Sequence, residues 1–166
     1  MVEPLSEVAP TQEILDGVSA CRAALSDGPR LNDATLEHLG WTSGTHVDDR
    51  GRQRKLFSKQ NLLIEIQSLA VLDNCIVNGQ IANEAQLDEL RAGVAGQLSA
   101  EQVSEGNTPP GLLNAIRSQY GENAPDSVLD NHFIAEDFVY DIATYTRPDG
   151  LYAYVITTSL AHSPNP

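Results

Sequence analysis

The side chains that could do chemistry in this chain are few and scattered. His132 stands close to Glu136 and Asp137, and His46-Val47-Asp48-Asp49 repeats the combination of one imidazole and two carboxylates in a stretch rich in Gly, Asp and Arg. Such sets can move a proton or hold an ion. Neither has the HExxH spacing that puts two imidazoles on one helix face, and neither follows a calcium-loop pattern. His38 beside Glu37 and His162 in the tail read as solvated or locally hydrogen-bonded. A ligand site built from what remains would draw on His132, Glu136, Asp137 and the hydroxyls of Tyr140 and Tyr154. No catalytic residue, metal ligand or cofactor is assigned from the sequence.

Other chemistries are excluded by spacing. Gly40, Gly44 and Gly51 do not form GxGxxG, and no GK[ST] occurs, so phosphate cradles of those kinds are absent. Thr42-Ser43-Gly44 lacks the frame of a GxSxG elbow. Cys21 and Cys75 have no CxxC or metal spacing, and both sit on apolar stripes. They read as two buried small hydrophobes or as a bridge between a helix and the strand it covers. A bridge would close a loop of 54 residues and stabilise by about 4 kcal/mol in the chain-entropy model, in an oxidising compartment only.

Charge narrows the partners. The net charge is −13, and five of the ten basic residues, Arg50, Arg52, Arg54, Lys55 and Lys59, fall within ten positions. The rest of the chain repels phosphate backbones and anionic headgroups, which argues against nucleic acid and membrane. No apolar run reaches the roughly 18 residues of a helical span. The basic run reads as a charged hairpin tip or guarded strand edge. Through Arg50, Arg52, Arg54 and Lys55 it could also dock on an acidic face of another subunit, and a homodimer is the expected assembly. Met1–Pro10 has neither the basic start nor the apolar core of a signal peptide. The expected location is cytoplasmic if Met1 is the native start, and periplasmic or secreted if a leader has been removed.

The elements that would position these residues follow from periodicity. Asn61–Gly79 carries only two ionisable groups, Glu65 and Asp73, and its alternation of Leu62, Ile64 and Ile66 with Leu63, Glu65 and Gln67 is that of a strand with one buried face. A turn near Asp73-Asn74 leads to a second strand at Cys75-Ile76-Val77. Ile14, Val18, Cys21 and Leu25 recur at helical spacing behind a Thr11 N-cap. A short helix is predicted over 33–39, one more behind the Asn83…Gln86 capping box, a helical turn within 99–106, and another helix from Thr108-Pro109. Residues 42–55 read as a solvated loop or hairpin tip, with a strand starting at Leu56-Phe57. Phe138–Thr146 and Leu151–Leu160 flank Pro148-Asp149-Gly150, a turn signal. Pairing Arg147 with Leu151 would put Phe138, Tyr140, Ile142, Tyr152, Tyr154 and Ile156 on one face, toward the helices.

The expectation is an α+β fold in helix-strands-helices-strands order, an antiparallel sheet covered on one face by amphipathic helices. A single domain spans 11–160, between a disordered arm (1–10) and a disordered tail (161–166). A small acidic chain with an N-terminal helix, three strands and a helix resembles, in outline alone, the class I type III secretion chaperones of bacteria. It departs from them in continuing into a long tyrosine-rich hairpin, and the outline carries over no residue. With catalytic constellations missing, the reading is a non-enzymatic interaction module binding itself or another protein. The alternative is a small-ligand binder or enzyme with a pocket between the C-terminal hairpin and the helices.

Overall fold

The computed structural model describes residues 7–119, 121, 126–135 and 137–160 of the 166. The alternating run at Leu62 forms β3 (Leu62–Ser68), and β4 (Asp73–Ile81) alternates buried and half-buried residues without a break. With β1 (Thr42–Val47), β2 (Gln53–Lys59), β5 (Glu101–Gln102), β6 (His132–Ile134), β7 (Phe138–Arg147) and β8 (Gly150–Ser159) they make one eight-stranded sheet. Its order is β1-β2-β3-β4-β8-β7-β6-β5, and neighbouring strands are all antiparallel. Among the described residues four helices accompany it: α1 (Thr11–Ala24), α2 (Asp33–His38), α3 (Glu84–Gln97) and α4 (Pro110–Ser118), with a short 3-10 helix, η1 (Asp126–Asn131). The fold is α+β. Among the described residues no helix is long and apolar enough to cross a membrane.

Helix α1 lies on the face of the sheet that carries Ile64, Cys75, Val77, Ala153 and Val155, and it buries Ile14, Val18, Cys21 and Leu25 against them. Each of the larger of these side chains contributes about 1.5–3 kcal/mol on leaving water. Close approach is possible because Gly17 meets the γ-carbons of Val77; an added Cβ would stand 3.0 Å from one of them. The contact is then fixed covalently by a Cys21–Cys75 disulfide, both residues being fully buried. Beside α1 runs α3, whose Asn83 accepts from the Gln86 backbone N–H at 3.0 Å while the Gln86 side chain accepts from Ala82 N–H at 2.7 Å. The α4 side chains Leu113 and Ile116 cluster with Val103 and Leu129, and Ile134 and Val139 pack against them.

Several expectations need correction. Of the two readings of residues 42–55 the hairpin holds and the solvated loop does not: β1 and the start of β2 occupy them, joined through a tip at Asp48–Arg52. Their side chains are mostly exposed on both faces, so no period-two signal marks them. The turn after β3 falls at Leu69–Leu72, ahead of Asp73, whose buried carboxylate accepts from Leu31 N–H (2.8 Å) and Arg30 Nη1 (3.0 Å). Glu101–Gln102 pair with β6 as a strand and form no helical turn. Thr11 is the first helical residue and Pro10 the cap; Thr11 Oγ1 donates to Glu89 on α3 at 3.0 Å. Of the expected arm, residues 7–10 are described: Val8 bridges Gln80 and Ala9 is buried. Residues 1–6 and the tail 161–166 lie outside the described residues.

The largest correction is one of register. Arg147 pairs with Gly150, not Leu151, so Pro148-Asp149 is a two-residue loop. A shift of one residue turns every side chain of a strand over. Tyr152, Tyr154 and Ile156 therefore share a face with Asp141 and Tyr145, away from α1, while Ala153, Val155 and Thr157 join Tyr140 and Ile142 beneath it.

Candidate functional site

The face opposite α1 is built by the alternate residues of the central strands. Register aligns them in rows across the sheet: Leu56, Glu65, Ile76, Ile156, Asp141 and His132 in one, and Leu63, Asn78, Tyr154 and Ala143 in the next. At the β6–β7 end this face is covered, since Ile134 and Val139 pack under the α4 cluster. Over β3, β4 and β8 it is not: Leu63, Ile76, Tyr154 and Ile156 are each only half-buried. Ile76, Ile156 and Tyr154 thus form a small apolar and aromatic patch that reaches solvent, with Asn78 and Glu65 standing between it and Leu63.

The amides and hydroxyls of this face are ordered by their own hydrogen bonds. Tyr145 Oη donates to Asn78 Oδ1 at 2.8 Å, Thr158 Oγ1 donates to Asn74 Oδ1 at 2.8 Å, and Asn74 Nδ2 donates to Gln67 Oε1 at 3.2 Å. At the hairpin end Tyr145 stacks on Tyr152 with centroids 5.2 Å apart and tilts toward Tyr154 at 6.1 Å. Tyr152 Oη donates to Asp149 Oδ2 at 2.6 Å, which holds that carboxyl below its usual range and raises the phenol. Arg147 lies over the Tyr152 ring. The three rings are thereby held in place, Tyr152 fully buried and Tyr145 and Tyr154 half-buried.

Beneath the covered end His132 is buried, with Nε2 3.5 Å from Asp141 Oδ1. Burial raises the Asp141 carboxyl, opposed by the nearby imidazole. Burial also raises the Tyr154 phenol, with Asp141 and Tyr145 adding to it. Asp141 is the residue the sequence reading missed, because its pairing with His132 depends on the β6–β7 register and not on proximity in the chain.

The sequence-predicted ligand residues are dispersed. His132 and Tyr154 lie on the same side of the sheet, in neighbouring rows, His132 under its covered end, whereas Tyr140 points to the opposite face among the core residues. Its hydroxyl is buried without a hydrogen bond of good geometry among the described residues, as is Thr157 Oγ1 across the ladder from it, and burial raises the phenol, opposed by nearby Arg22. Asp137 is exposed in the β6–β7 turn, where its carbonyl accepts from Leu160 N–H. Glu136 lies outside the described residues. Clefts of about 360 Å³ between α3 and η1 and about 610 Å³ beside α1 and Trp41 are lined by other residues. No group of three or more His, Cys, Asp or Glu is arranged for a metal among the described residues.

Most of the basic cluster is engaged within the chain. Arg52 Nε donates to Asp48 Oδ2 at 2.8 Å, Arg54 pairs with Glu65 on β3, and Lys55 Nζ donates to Asp33 on α2 at 2.5 Å. The Arg52 and Arg50 backbone N–H groups, both bonded to Asp48, help to depress its pKa. Arg50 is exposed and makes no ion pair among the described residues. Compared with protein-family models, curated proteins and solved structures, the chain matches none.

Proposed function

We propose that the chain is a non-catalytic binding module that engages a protein partner through the open face over β3, β4 and β8. The observation that carries this reading is the half-buried patch of Ile76, Ile156 and Tyr154, with Leu63 beyond Asn78, at the centre of a sheet whose other face is covered by α1. Central strands of a two-layer fold ordinarily bury one face and carry polar residues on the other. Here the second face is apolar and aromatic at its centre, which is the composition of an interaction surface. Asn74 and Thr158 at its border and Asn78 within the face supply hydrogen-bonding groups, so a partner of mixed apolar and amide character suits it. The Cys21–Cys75 bridge fits an oxidising compartment, and the partner would then be met there.

A photo-crosslinking amino acid placed at Ile76 or Ile156 and expressed in the native host tests the reading. Discrete crosslinked species are expected from these positions, and none from a control at exposed Gln97 on α3. Equal, diffuse labelling from all three positions would remove the reading.

A further inference from the structure

We propose that edge strand β1 pairs antiparallel with β1 of a second copy, joining two sheets across a two-fold axis at Thr45. The sheet has two edges. One is β5, only two residues long, and the other is β1, six residues long, of which all but His46 are exposed. Long edges are normally guarded by charge, proline or a bulge. β1 has no Asp, Glu, Lys, Arg or Pro and pairs with β2 without interruption. The nearby cations do not guard it: Arg54 turns inward to Glu65 on β3, and Lys55 to Asp33.

The ladder fixes which groups are free. Asp48 N–H donates to Arg52 O at 2.9 Å, so hydrogen-bonded and non-bonded pairs alternate from there along β1. Val47, Thr45 and Ser43 consequently direct N–H and C=O away from β2. One symmetric register satisfies all three residues: Thr45 opposite Thr45 of the second copy, and Ser43 opposite Val47. That register sets Gly44 opposite His46 of the second copy in a non-bonded pair, where side chains are closest. Gly44 has no positive φ, and no atom lies within 4 Å of the place a Cβ would take, so nothing in its own chain calls for glycine. A strand glycine of this kind marks the approach of another chain.

Beyond the strand the antiparallel arrangement brings the Asp48–Arg52 turn, with exposed Arg50 at its tip, toward the α2 end of the second copy. There Glu37 is exposed and makes no ion pair among the described residues. By symmetry the Arg50–Glu37 complement occurs twice. The copies share one helix-covered side, and the open faces become continuous.

Sedimentation at about 10–200 µM in about 150 mM salt, where the repulsion of two acidic chains is screened, tests the pairing. The 17.9 kDa chain is expected to sediment as a dimer. Thr45→Pro removes an outward N–H that the β1–β2 ladder does not use, and it should give a monomer with an unchanged far-ultraviolet circular dichroism spectrum. Arg50→Glu should weaken the dimer about tenfold, and Arg50→Glu with Glu37→Arg should restore it to within about threefold. A wild-type monomer throughout the range, a Thr45→Pro dimer, or a charge swap no better than Arg50→Glu alone would overturn the proposal. Crosslinking from Ile76 in the Thr45→Pro background reports separately on the open face.

Discussion

Loss of the Cys21–Cys75 bridge should be the most costly covalent change available in this chain. The bridge spans 54 residues, and in the chain-entropy model closing a loop of that length stabilises the fold by about 4 kcal/mol at 25 °C. Both cysteines are fully buried, so the replacement should be Cys21→Ala with Cys75→Val, which keeps the α1–β4 contact apolar. With a urea dependence of about 2 kcal/mol/M, as expected for a domain of this size, the midpoint should fall by about 2 M. Trp41, the only tryptophan and only 5% exposed, reports the transition by fluorescence. A midpoint displaced by less than about 0.5 M would refute the entropic reasoning and leave the bridge a consequence of packing. In protein taken from its native source, a maleimide should find no thiol even after denaturation in the absence of reductant.

Further outcomes follow from single contacts. Burial raises the Asp141 carboxyl above its unfolded value, so its contribution is most favourable below the unfolded pKa and is lost as pH rises through the folded one. Asp141→Asn should accordingly raise the thermal midpoint at pH 7, and the gain should vanish near pH 3; a gain that persists there would sink the argument. Gly93 and Gly96 lie on one helix but should respond oppositely to alanine. A Cβ at Gly93 would clash with buried Leu15, whereas at Gly96 it meets nothing. Gly93→Ala should cost about 1 kcal/mol net of helix propensity and Gly96→Ala should gain about 0.5 kcal/mol, both read from chemical denaturation. Asp73→Ala strips the Arg30 side chain and the Leu31 backbone of a buried acceptor and should destabilise by about 2–3 kcal/mol; a change below about 0.5 kcal/mol would show the loop finding other partners.

Legibility in the sequence tracked burial. Leu62 to Gln67, half in and half out, announced their strand, and the Ile14, Val18, Cys21 stripe announced the helix that covers it. Thr42–Val47 announced nothing, because an edge strand exposed on both faces has no hydrophobic alternation to read. Leu69 and Val71 act in the other direction: they are apolar but exposed in the β3–β4 turn, so the sequence shows no polar turn signal until Asp73-Asn74, just past it. The candidate site suffered most from one residue of register. Pro148-Asp149-Gly150 correctly marked a reversal, but its sequence fits two- and three-residue loops alike. The choice between them is made by where the β8 side chains pack, which decides whether Tyr154 looks at a helix or at solvent. His132 and Asp141 are nine positions apart in sequence and become neighbours only through strand pairing.

The strand order has a kinetic consequence. Strands β1 to β4 form one continuous meander, β6 to β8 a second to which β5 is added across α4 and η1, and the two sets of strands pair along β4 and β8 alone. Residues paired at that seam are far apart in the chain, Ile81 with Leu151 and Cys75 with Thr157. The β1–β4 and β7–β8 hairpins can zip locally within microseconds, but the seam must wait for a long loop to close before its contacts repay the lost entropy. Folding should therefore be limited by docking of two preformed halves. Until they dock, β4 and β8 are themselves bare edges, the moment at which this chain is most exposed to pairing with the wrong neighbour.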